Sequence, residues 1–409
     1  MQRWNLLIIQ ALCATLSTAA AHTMPDNAIS FSQARERIIM HNSGIKVLES
    51  DIKSAQQGVS QSRVFHNPSG SIALEKFGLN EIEATISQTI ELGGKRRFRA
   101  EAAEKELEIS QNVLKLGSLE LDVEIIRRFI PIAVGTHRLA LLDSIRITAE
   151  ATKEQILRKI DVGAARKTDL IRAEIGIERL AIERSEIVRE IAQARKRFAA
   201  LGGNRDSVLL NVSGTLNTEA EVPVLDDVRS AMRTHPRFAA LAIQQALLET
   251  QKKQMKAESV PDVDLSVGYI NKLPKRVNAP LVGFSMDIPI FNQTNAAQKQ
   301  LSFRHEAFNK RRENDLRILD ADTQDLYSRL IELKKKMAAL RDGTIPKAET
   351  VCDMLWEYYT AGSTSFFDLT TAQSELLRLQ MELLDMESEW AQVFADLMQL
   401  TSLHIPIVK

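Results

Sequence analysis

The sequence contains little cysteine, because Cys13 and Cys352 are the only two among 409 residues. We expect Cys13 to be removed with an export signal, which excludes an intrachain disulfide and a cysteine metal site. The rest of the chain lacks any run of about 18 apolar residues, which excludes a membrane-spanning helix there. Seven histidines occur without H-x-x-x-H or H-E-x-x-H spacing, and no Gly-x-Ser-x-Gly motif is present. We therefore expect no enzyme, no bound metal and no other cofactor.

Net charge is also absent, since 53 basic residues balance 53 acidic ones, and aromatic residues make up only 5% of the chain. A nucleic-acid-binding protein normally has net positive charge, or a basic stripe with interleaved aromatic residues. We therefore expect no nucleic-acid partner. The charged fraction of 26% beside 44% hydrophobic residues is typical of a helical protein with much solvated surface.

The N-terminus has the pattern of an export signal. Arg3 provides a positive charge, the segment from Leu6 to Leu16 is a short apolar core, and Ala19-Ala20-Ala21 forms an A-x-A cleavage site. An N-terminal helix of the mature fold is the alternative interpretation. Cys13 follows the bulky Leu12, whereas a lipid-modified cysteine usually follows a small residue; the sequence leaves its lipidation open.

The pattern of the remaining chain predicts two copies of the same order of helices and strands. Gly163 and Asp169 in the first copy match Gly362 and Asp368 in the second, and both pairs are 199 residues apart (362 − 163 and 368 − 169). The same offset relates the apolar positions of the following helices without a gap. Such ungapped self-similarity indicates a duplication. The predicted divisions are a signal peptide at 1–21, a first repeat at 22–202, a linker at 203–223 and a second repeat at 224–409.

Apolar residues at steps of three and four predict helices that pack as coiled coils. The clearest series runs from Leu316 to Leu340, and the last runs from Leu376 to Leu400. We interpret charge runs on the opposite faces, such as Lys334-Lys335-Lys336, as solvated surface. In each repeat the order is helix, strand hairpin, long helix, helix. The predicted hairpins cover 69–90 and 262–290, the long helices 98–160 and 295–360, and the last helices 169–201 and 365–401.

Four short segments between the helices alternate apolar and small or polar residues. In one of them, for example, Val263, Leu265, Val267 and Tyr269 alternate with Asp, Ser and Gly. The pattern fits a membrane barrel with lipid outside and water inside, and it also fits a soluble half-buried sheet. Four strands cannot close a barrel within one chain, whereas three copies would supply twelve.

The helix lengths predict a tube rather than a compact globule. The long helix of the first repeat would span on the order of 90 Å. The helices near 33–62 and 169–201, stacked end to end, match that length, and the second repeat gives the same relation between 226–259 plus 365–401 and 295–360. We therefore predict a barrel of paired helices with flush ends.

Three sequence features point to a known family. The first is the pair of Gly-x5-Asp-Leu turns at Gly163 and Gly362, and the second is the strand from Pro261 to Tyr269 with the strand end from Ile288 to Asn292. The third is the segment SQTIELGGKRR from Ser87 to Arg97. With the duplicated layout, these features resemble the TolC-like outer membrane factor family over nearly the whole mature chain. The third is similar to the strand-to-helix junction of the cobalt–zinc–cadmium (heavy-metal) efflux branch.

The resemblance implies a mainly α fold with a small β part. It implies a homotrimer in which four strands per protomer form a 12-stranded β-barrel in the outer membrane, continued by a long α-helical coiled-coil barrel in the periplasm. The linker around 202–223 and the C-terminal tail would form a belt near mid-tunnel. The implied partners are a periplasmic adaptor protein and an inner-membrane pump of the resistance-nodulation-division type.

The expected function is therefore the outer-membrane exit duct of a tripartite proton-driven efflux system that exports heavy-metal cations. A drug or type I secretion duct of the same family stays open as an alternative. A soluble periplasmic coiled-coil scaffold is a further alternative, from a different class of protein. The sequence does not identify the ion, the pump or the resting state of the tunnel.

Four residues near the predicted turns are candidates for a pore constriction. Asp169 and Asp368 each open a helix, where a carboxylate also serves as a helix cap. A trimer would bring three copies of each toward one axis, and carboxylate rings select cations. The resemblance places Asp368 at the closed periplasmic tip, with Thr371 where some members have a second Asp and Arg172 in the matching place of the first copy. Constriction and capping both remain open.

The exposed turns themselves are candidates for adaptor contact. The resemblance assigns this role to Val162 and Gly163 in the first repeat and to Gly362 and Ser363 in the second, although they fit plain tight turns equally well.

A basic segment from Lys95 to Arg99 follows Gly93-Gly94 at the predicted junction of strand and helix. It does not form a P-loop, because an arginine follows the lysine. We interpret it as a patch that meets lipid headgroups or stays solvated.

Overall fold

The computed structural model describes residues 29–75, 80–203, 207–273, 277–288, 290, 295–403 and 407–408. The predicted signal peptide and Cys13 lie outside these residues. The helices are α1 (Phe31–His41), α2 (Ser43–Ser62), α3 (Lys95–Asp161), α4 (Lys167–Ala199), α5 (Leu225–Arg233), α6 (Pro236–Ala257), α7 (Asn295–Ala338), α8 (Ile345–Ala361) and α9 (Phe366–Thr401). The strands are β1 (Ile29–Ser30), β2 (Ser69–Glu75), β3 (Asn80–Ile90), β4 (Val212–Ser213), β5 (Val263–Leu273) and β6 (Val277–Met286).

Two long helical columns set the length of the molecule. Helix α3 has 67 residues, which corresponds to about 100 Å. In the second column, a π-helical segment at Ala339–Thr344 joins α7 to α8. The predicted series of apolar residues that starts at Leu316 ends within this segment, at Leu340. Within the described residues, no helix is both long enough and apolar enough to cross a membrane.

The prediction of one continuous helix at 33–62 is wrong, because the chain breaks at Asn42. The Asn42 backbone is extended, its side chain accepts from the Ile45 N–H, and its amide nitrogen donates to the Leu201 carbonyl at 2.9 Å. The helix predicted at 226–259 is also two helices, since His235 caps α6 and Pro236 occupies its first turn. Proline fits a first turn because the backbone N–H groups there have no acceptor within the helix, so the N–H that proline lacks is not missed.

Four strands form one antiparallel sheet in the order β2-β3-β5-β6. Cross-strand neighbours share a face of a sheet, so the register sorts the side chains. One face is apolar and exposed; Val282 and Phe284 are each 80% exposed. Other exposed apolar members of this face are Ile72, Leu74, Ile86, Leu265, Val267 and Tyr269. The other face carries small and polar residues; for example, the Ser71 and Thr85 hydroxyls lie 2.6 Å apart.

The middle of the helical part, which we call the waist, contains the largest hydrophobic core among the described residues. Phe129 on α3 lies 4.8 Å from Phe31 and 6.1 Å from Phe198 between ring centroids. Trp390 on α9 is fully buried and packs on Phe394 at 5.0 Å. The middle of α3 is therefore buried on more than the single face that heptad spacing predicts.

Short segments wrap around the waist. Strand β1 pairs in parallel with β4, and Leu216 pairs with Val408 in an antiparallel bridge. The linker therefore contacts both the start and the end of the described chain. Lys334 on α7 donates to the Ala220 carbonyl at 2.9 Å, which ties the linker to the second long column.

Ion pairs join α9 to both long columns at this level. Asp385 and Asp396 pair with Arg138 and Arg127 on α3. On the other side, Glu389 pairs with Arg329 on α7 at 2.5 Å. A further pair forms between Arg341 of the π-helical segment and Glu387 at 2.6 Å.

Candidate functional site

The two turns at the end of the helical part opposite the sheet share one hydrogen-bond pattern. The Gly163 and Ala164 N–H groups donate to the Ile160 and Lys159 carbonyls at 2.9 and 2.7 Å. The Gly362 and Ser363 N–H groups donate to the Tyr359 and Tyr358 carbonyls at 3.1 and 2.8 Å. Each partner is again 199 residues from its counterpart. The two glycines have φ of 72° and 83°, and a Cβ at either would meet open space, so glycine is favoured for its backbone angle.

A small apolar cluster, which we call the tip cluster, packs these two turns against each other. Its buried members are Ile156, Tyr359, Phe366 and Leu369, and the Tyr359 and Phe366 rings lie 6.2 Å apart. Lys159 of the first repeat donates to the Tyr359 carbonyl of the second, and its ammonium lies 4.0 Å from the Tyr359 ring centroid. A cation over an aromatic face is attracted to it. The tips of the two repeats are thus joined within one chain.

Asp368 folds back onto the first turn of its own helix. Its carboxylate accepts from the Ser365 hydroxyl at 2.6 Å and the Thr364 hydroxyl at 3.2 Å, while its N–H donates to the Ser365 hydroxyl at 3.2 Å. This is a capping box, in which two otherwise unpaired N–H groups are satisfied reciprocally. The hydrogen bonds from Ser365 and then Thr364 lower the pKa of Asp368, so it is ionised at neutral pH.

Asp169 has a different environment from Asp368. Its helix α4 begins at Lys167, the preceding Arg166 makes no side-chain cap, and the Asp169 N–H donates to the Arg166 carbonyl at 3.0 Å. Asp169 is half-buried. Burial and then the Asp169 charge raise the pKa of the Tyr359 phenol. The Asp169 charge therefore acts on Tyr359 of the other repeat, whereas the Asp368 carboxylate hydrogen-bonds to Ser365 at the start of its own helix.

The remaining predicted site residues are exposed. The Thr371 hydroxyl donates to the Phe367 carbonyl at 2.8 Å, and Arg172 makes no ion pair with any residue that the structure describes. Val162 is 76% exposed, and its neighbour Gly163 is also exposed. Gly362 and Ser363 in the matching turn of the second repeat are exposed as well. These residues are therefore exposed at the end of the helical part opposite the sheet.

Sequence reasoning missed Lys159 and Tyr359. A compositional signal was available, because five of the 21 aromatic residues fall in one short stretch, at Trp356, Tyr358, Tyr359, Phe366 and Phe367. Tyr359 also matches Ile160 at the offset of 199 residues, so this position is aliphatic in the first copy and aromatic in the second.

No group of three or more His, Cys, Asp or Glu side chains able to hold a metal ion occurs among the residues with described positions. Cys352 on α8 has Glu349 and Asp353 on the same helix. Burial and then these carboxylates raise the pKa of the Cys352 thiol, which disfavours the thiolate that binds metals.

Comparison with known proteins gives a family and several relatives. Residues 228–402 match the family model described as outer membrane efflux protein. The chain is 23% identical over 352 residues to the cobalt-zinc-cadmium resistance protein CzcC of Cupriavidus metallidurans, covering 84% of this chain and 82% of that protein. It is 24% identical over 256 residues to the nickel and cobalt resistance protein CnrC of the same organism, covering 59% of each.

Among solved structures, the chain is similar to the MtrE outer membrane channel of Neisseria gonorrhoeae, determined in its open state. The TM-score is 0.73 at 16% identity, and the match covers 91% of this chain and 88% of that one. At this identity the likeness establishes the fold. The predicted TolC-like architecture, mainly helical with a small sheet, is confirmed.

Proposed function

We propose that the chain is a member of the outer membrane efflux protein family, whose model matches residues 228–402, and that it is the exit duct of a tripartite, proton-driven efflux system. Three copies would form one duct, with the sheets in the outer membrane and the helices in the periplasm. Solutes would leave through it without chemical change.

The observation that carries this proposal is the four-stranded sheet. One face is almost wholly apolar and exposed, and the opposite face carries mainly small, polar and acidic residues, with Ile270 and Leu281 as apolar exceptions. Within the described residues, β2 and β6 each pair on one side only, so the sheet has two open edges. An open edge has unpaired backbone N–H and C=O groups, and in a bilayer every backbone polar group must be hydrogen-bonded. Joining β6 of one copy to β2 of the next, three times, would give twelve strands with apolar residues toward lipid.

The helical part suits a conduit that ends at a restricted opening. In a trimer, the tip clusters and the helix starts at Asp169 and Asp368 would surround one axis. We propose that these carboxylates, with Thr371 and Arg172 beside them, form the periplasmic constriction. Since the Asp368 carboxylate also completes the capping box of α9, one residue would serve both stability and ion selection.

The exposed turns would contact an adaptor protein. Val162 and Gly163 in the first repeat, and Gly362 and Ser363 in the second, stand at the end of the tube and present free surface. A pump of the resistance-nodulation-division type in the inner membrane would then deliver the cargo to this end.

Heavy-metal cations are the proposed cargo, because the relatives CzcC and CnrC are described as resistance proteins for such metals. Cations would pass without tight coordination, which agrees with the carboxylate-lined tip and needs no cluster of ligands.

The test combines the phenotype of a deletion strain with the conductance of the purified protein in planar bilayers. Deletion should lower tolerance to cobalt, zinc or cadmium while leaving drug tolerance and protein export unchanged, and the purified protein should conduct cations in planar bilayers. Loss of drug tolerance or of protein export instead would indicate another kind of duct. Full solubility without detergent would contradict the proposal.

A further inference from the structure

An open cleft of about 470 Å³ lies at the junction of β3 and α3, far from the tip. It is lined by Arg63, Glu91, Gly94, Arg96, Arg97 and Ala100. The basic segment predicted here divides into two parts. Lys95 is buried and pairs with Asp262 at 2.8 Å, and Arg99 pairs with Glu91 at 2.5 Å. These two cations therefore stabilise the junction and are not a solvated patch.

The wall of the cleft is held in place by Arg99. Its guanidinium donates to the Ser62 and Val64 carbonyls at 3.0 and 3.3 Å, which fixes the loop after α2 against α3. It also donates to both oxygens of Glu91, and His66 lies 3.2 Å from the same carboxylate. The hydrogen bond from Arg99 lowers the pKa of Glu91, so the negative charge that lines the cleft is already balanced.

Two guanidinium groups remain for a ligand. Arg96 lies 3.8 Å from the Phe65 ring centroid and Arg97 lies 4.6 Å from that of Phe98. Among the residues that the structure describes, neither has a carboxylate partner, whereas Arg63 pairs with Glu104. Stacking on a ring fixes the plane of a guanidinium and leaves its N–H edge free.

Apolar side chains surround these charges. Val64, Phe65 and Leu92 are exposed at the edge of the cleft, and the apolar face of the sheet begins at Ile90 directly beside it. A free anion gains nothing from such a rim. A molecule with a charged head and an apolar tail would contact both parts.

We propose that this cleft binds the phosphate group of an acidic phospholipid, with Arg96 and Arg97 as the ligating residues. The assignment rests on the proposed function, since it requires the sheet to lie in a bilayer with the cleft at its headgroup level. Arginine suits this ligand because its planar fork donates two parallel hydrogen bonds to phosphate oxygens. Attraction to anionic lipid adds to this at the membrane surface.

The experiment measures lipid binding to the purified, full-length protein in neutral detergent. Short-chain phosphatidylglycerol is titrated below its micelle concentration and bound lipid is counted by native mass spectrometry. The matching phosphatidylcholine and inorganic phosphate are titrated separately. The doubly substituted R96Q/R97Q protein should bind phosphatidylglycerol about tenfold more weakly or worse, since two charged hydrogen-bond donors are lost.

The control is R311Q/R312Q, which removes two adjacent arginines from α7 away from the cleft and should bind like the unsubstituted protein. Equal binding by R96Q/R97Q and the control would overturn the proposal, as would displacement of the lipid by equimolar inorganic phosphate, which would indicate a free-anion site. Mass and bilayer conductance are recorded on the same preparation. Conducting trimers that bind no phosphatidylglycerol would reject this site alone, whereas monomers would reject the proposed function.

Discussion

The waist and the tip of this molecule are built with very different amounts of core. At the waist, aromatic and aliphatic side chains of α1, α3, α4 and α9 form one continuous buried cluster, and ion pairs join α9 to both long columns. At the tip, four buried side chains and one lysine hold the two repeats together. Stability within a protein varies in this way, and segments that move come from the weakly packed end. We therefore expect local unfolding to occur more readily at the tip than at the waist.

The largest effect is expected from removing the centre of the waist. Trp390→Ala should lower the free energy of unfolding by about 3 to 5 kcal/mol, because it empties a fully buried site. Chemical unfolding followed by circular dichroism measures it. Phe367→Ala is the control, since Phe367 is 65% exposed at the tip. Equal losses in the two variants would remove the distinction between the regions.

A smaller and local effect is expected from Tyr359→Ala. Loss of this ring removes a quarter of the buried members of the tip cluster and the surface on which Lys159 lies. Hydrogen exchange should accelerate by about tenfold or more at the ends of α3 and α8 and stay unchanged at the waist. Tyr358→Ala changes the exposed neighbour and should leave exchange as it is. Acceleration at the waist as well would show that the two regions are not independent.

Asp368 tests whether the tip selects ions. Asp368→Ala removes the carboxylate half of the capping box together with the charge, and we expect higher conductance and a weaker preference for cations in planar bilayers. Asp368→Asn keeps a hydrogen-bonding side chain at the cap but has no charge. If both variants lose cation preference, the charge is responsible. Unchanged currents in both would leave Asp368 with capping alone.

The smallest effect is the acid response of the same cap. Hydrogen bonds lower the pKa of Asp368 below its ordinary value of 3.8, so its ionised form stabilises the tip. That contribution is complete above pH 3.8 and is lost as the pH falls through the lower value of the folded state. Conductance should rise over this range in the unsubstituted protein and much less in Asp368→Asn. A rise of the same size in the variant would assign the response to another group.

The sequence predicts the long columns well, because spacing of apolar residues reports the buried face of a helix. Leu319, Leu330 and Leu333, which belong to the predicted series, are all buried. The spacing does not predict burial on other faces, such as that of Ile125 and Phe129, because it depends on which segments wrap around the waist. The break at Asn42 is not predicted by spacing either, since the apolar positions continue across it.

The candidate site was predictable only in part. The capping box of Ser365 and Asp368 can be read from residue types alone, and so can its absence at Arg166. The contact between Lys159 and Tyr359 joins residues 200 positions apart, and no local pattern records it. Prediction by symmetry treated Asp169 and Asp368 alike. Their surroundings differ because capping residues are present in only one copy.

The central claim is that three copies join their open sheet edges, and the mass of the extracted protein tests it most directly. Outer membranes are solubilised in detergent, and the protein is cross-linked and weighed by native mass spectrometry. The account predicts a species of three chains, held together before cross-linking. A single chain under all conditions, with or without the cross-linker, would contradict it.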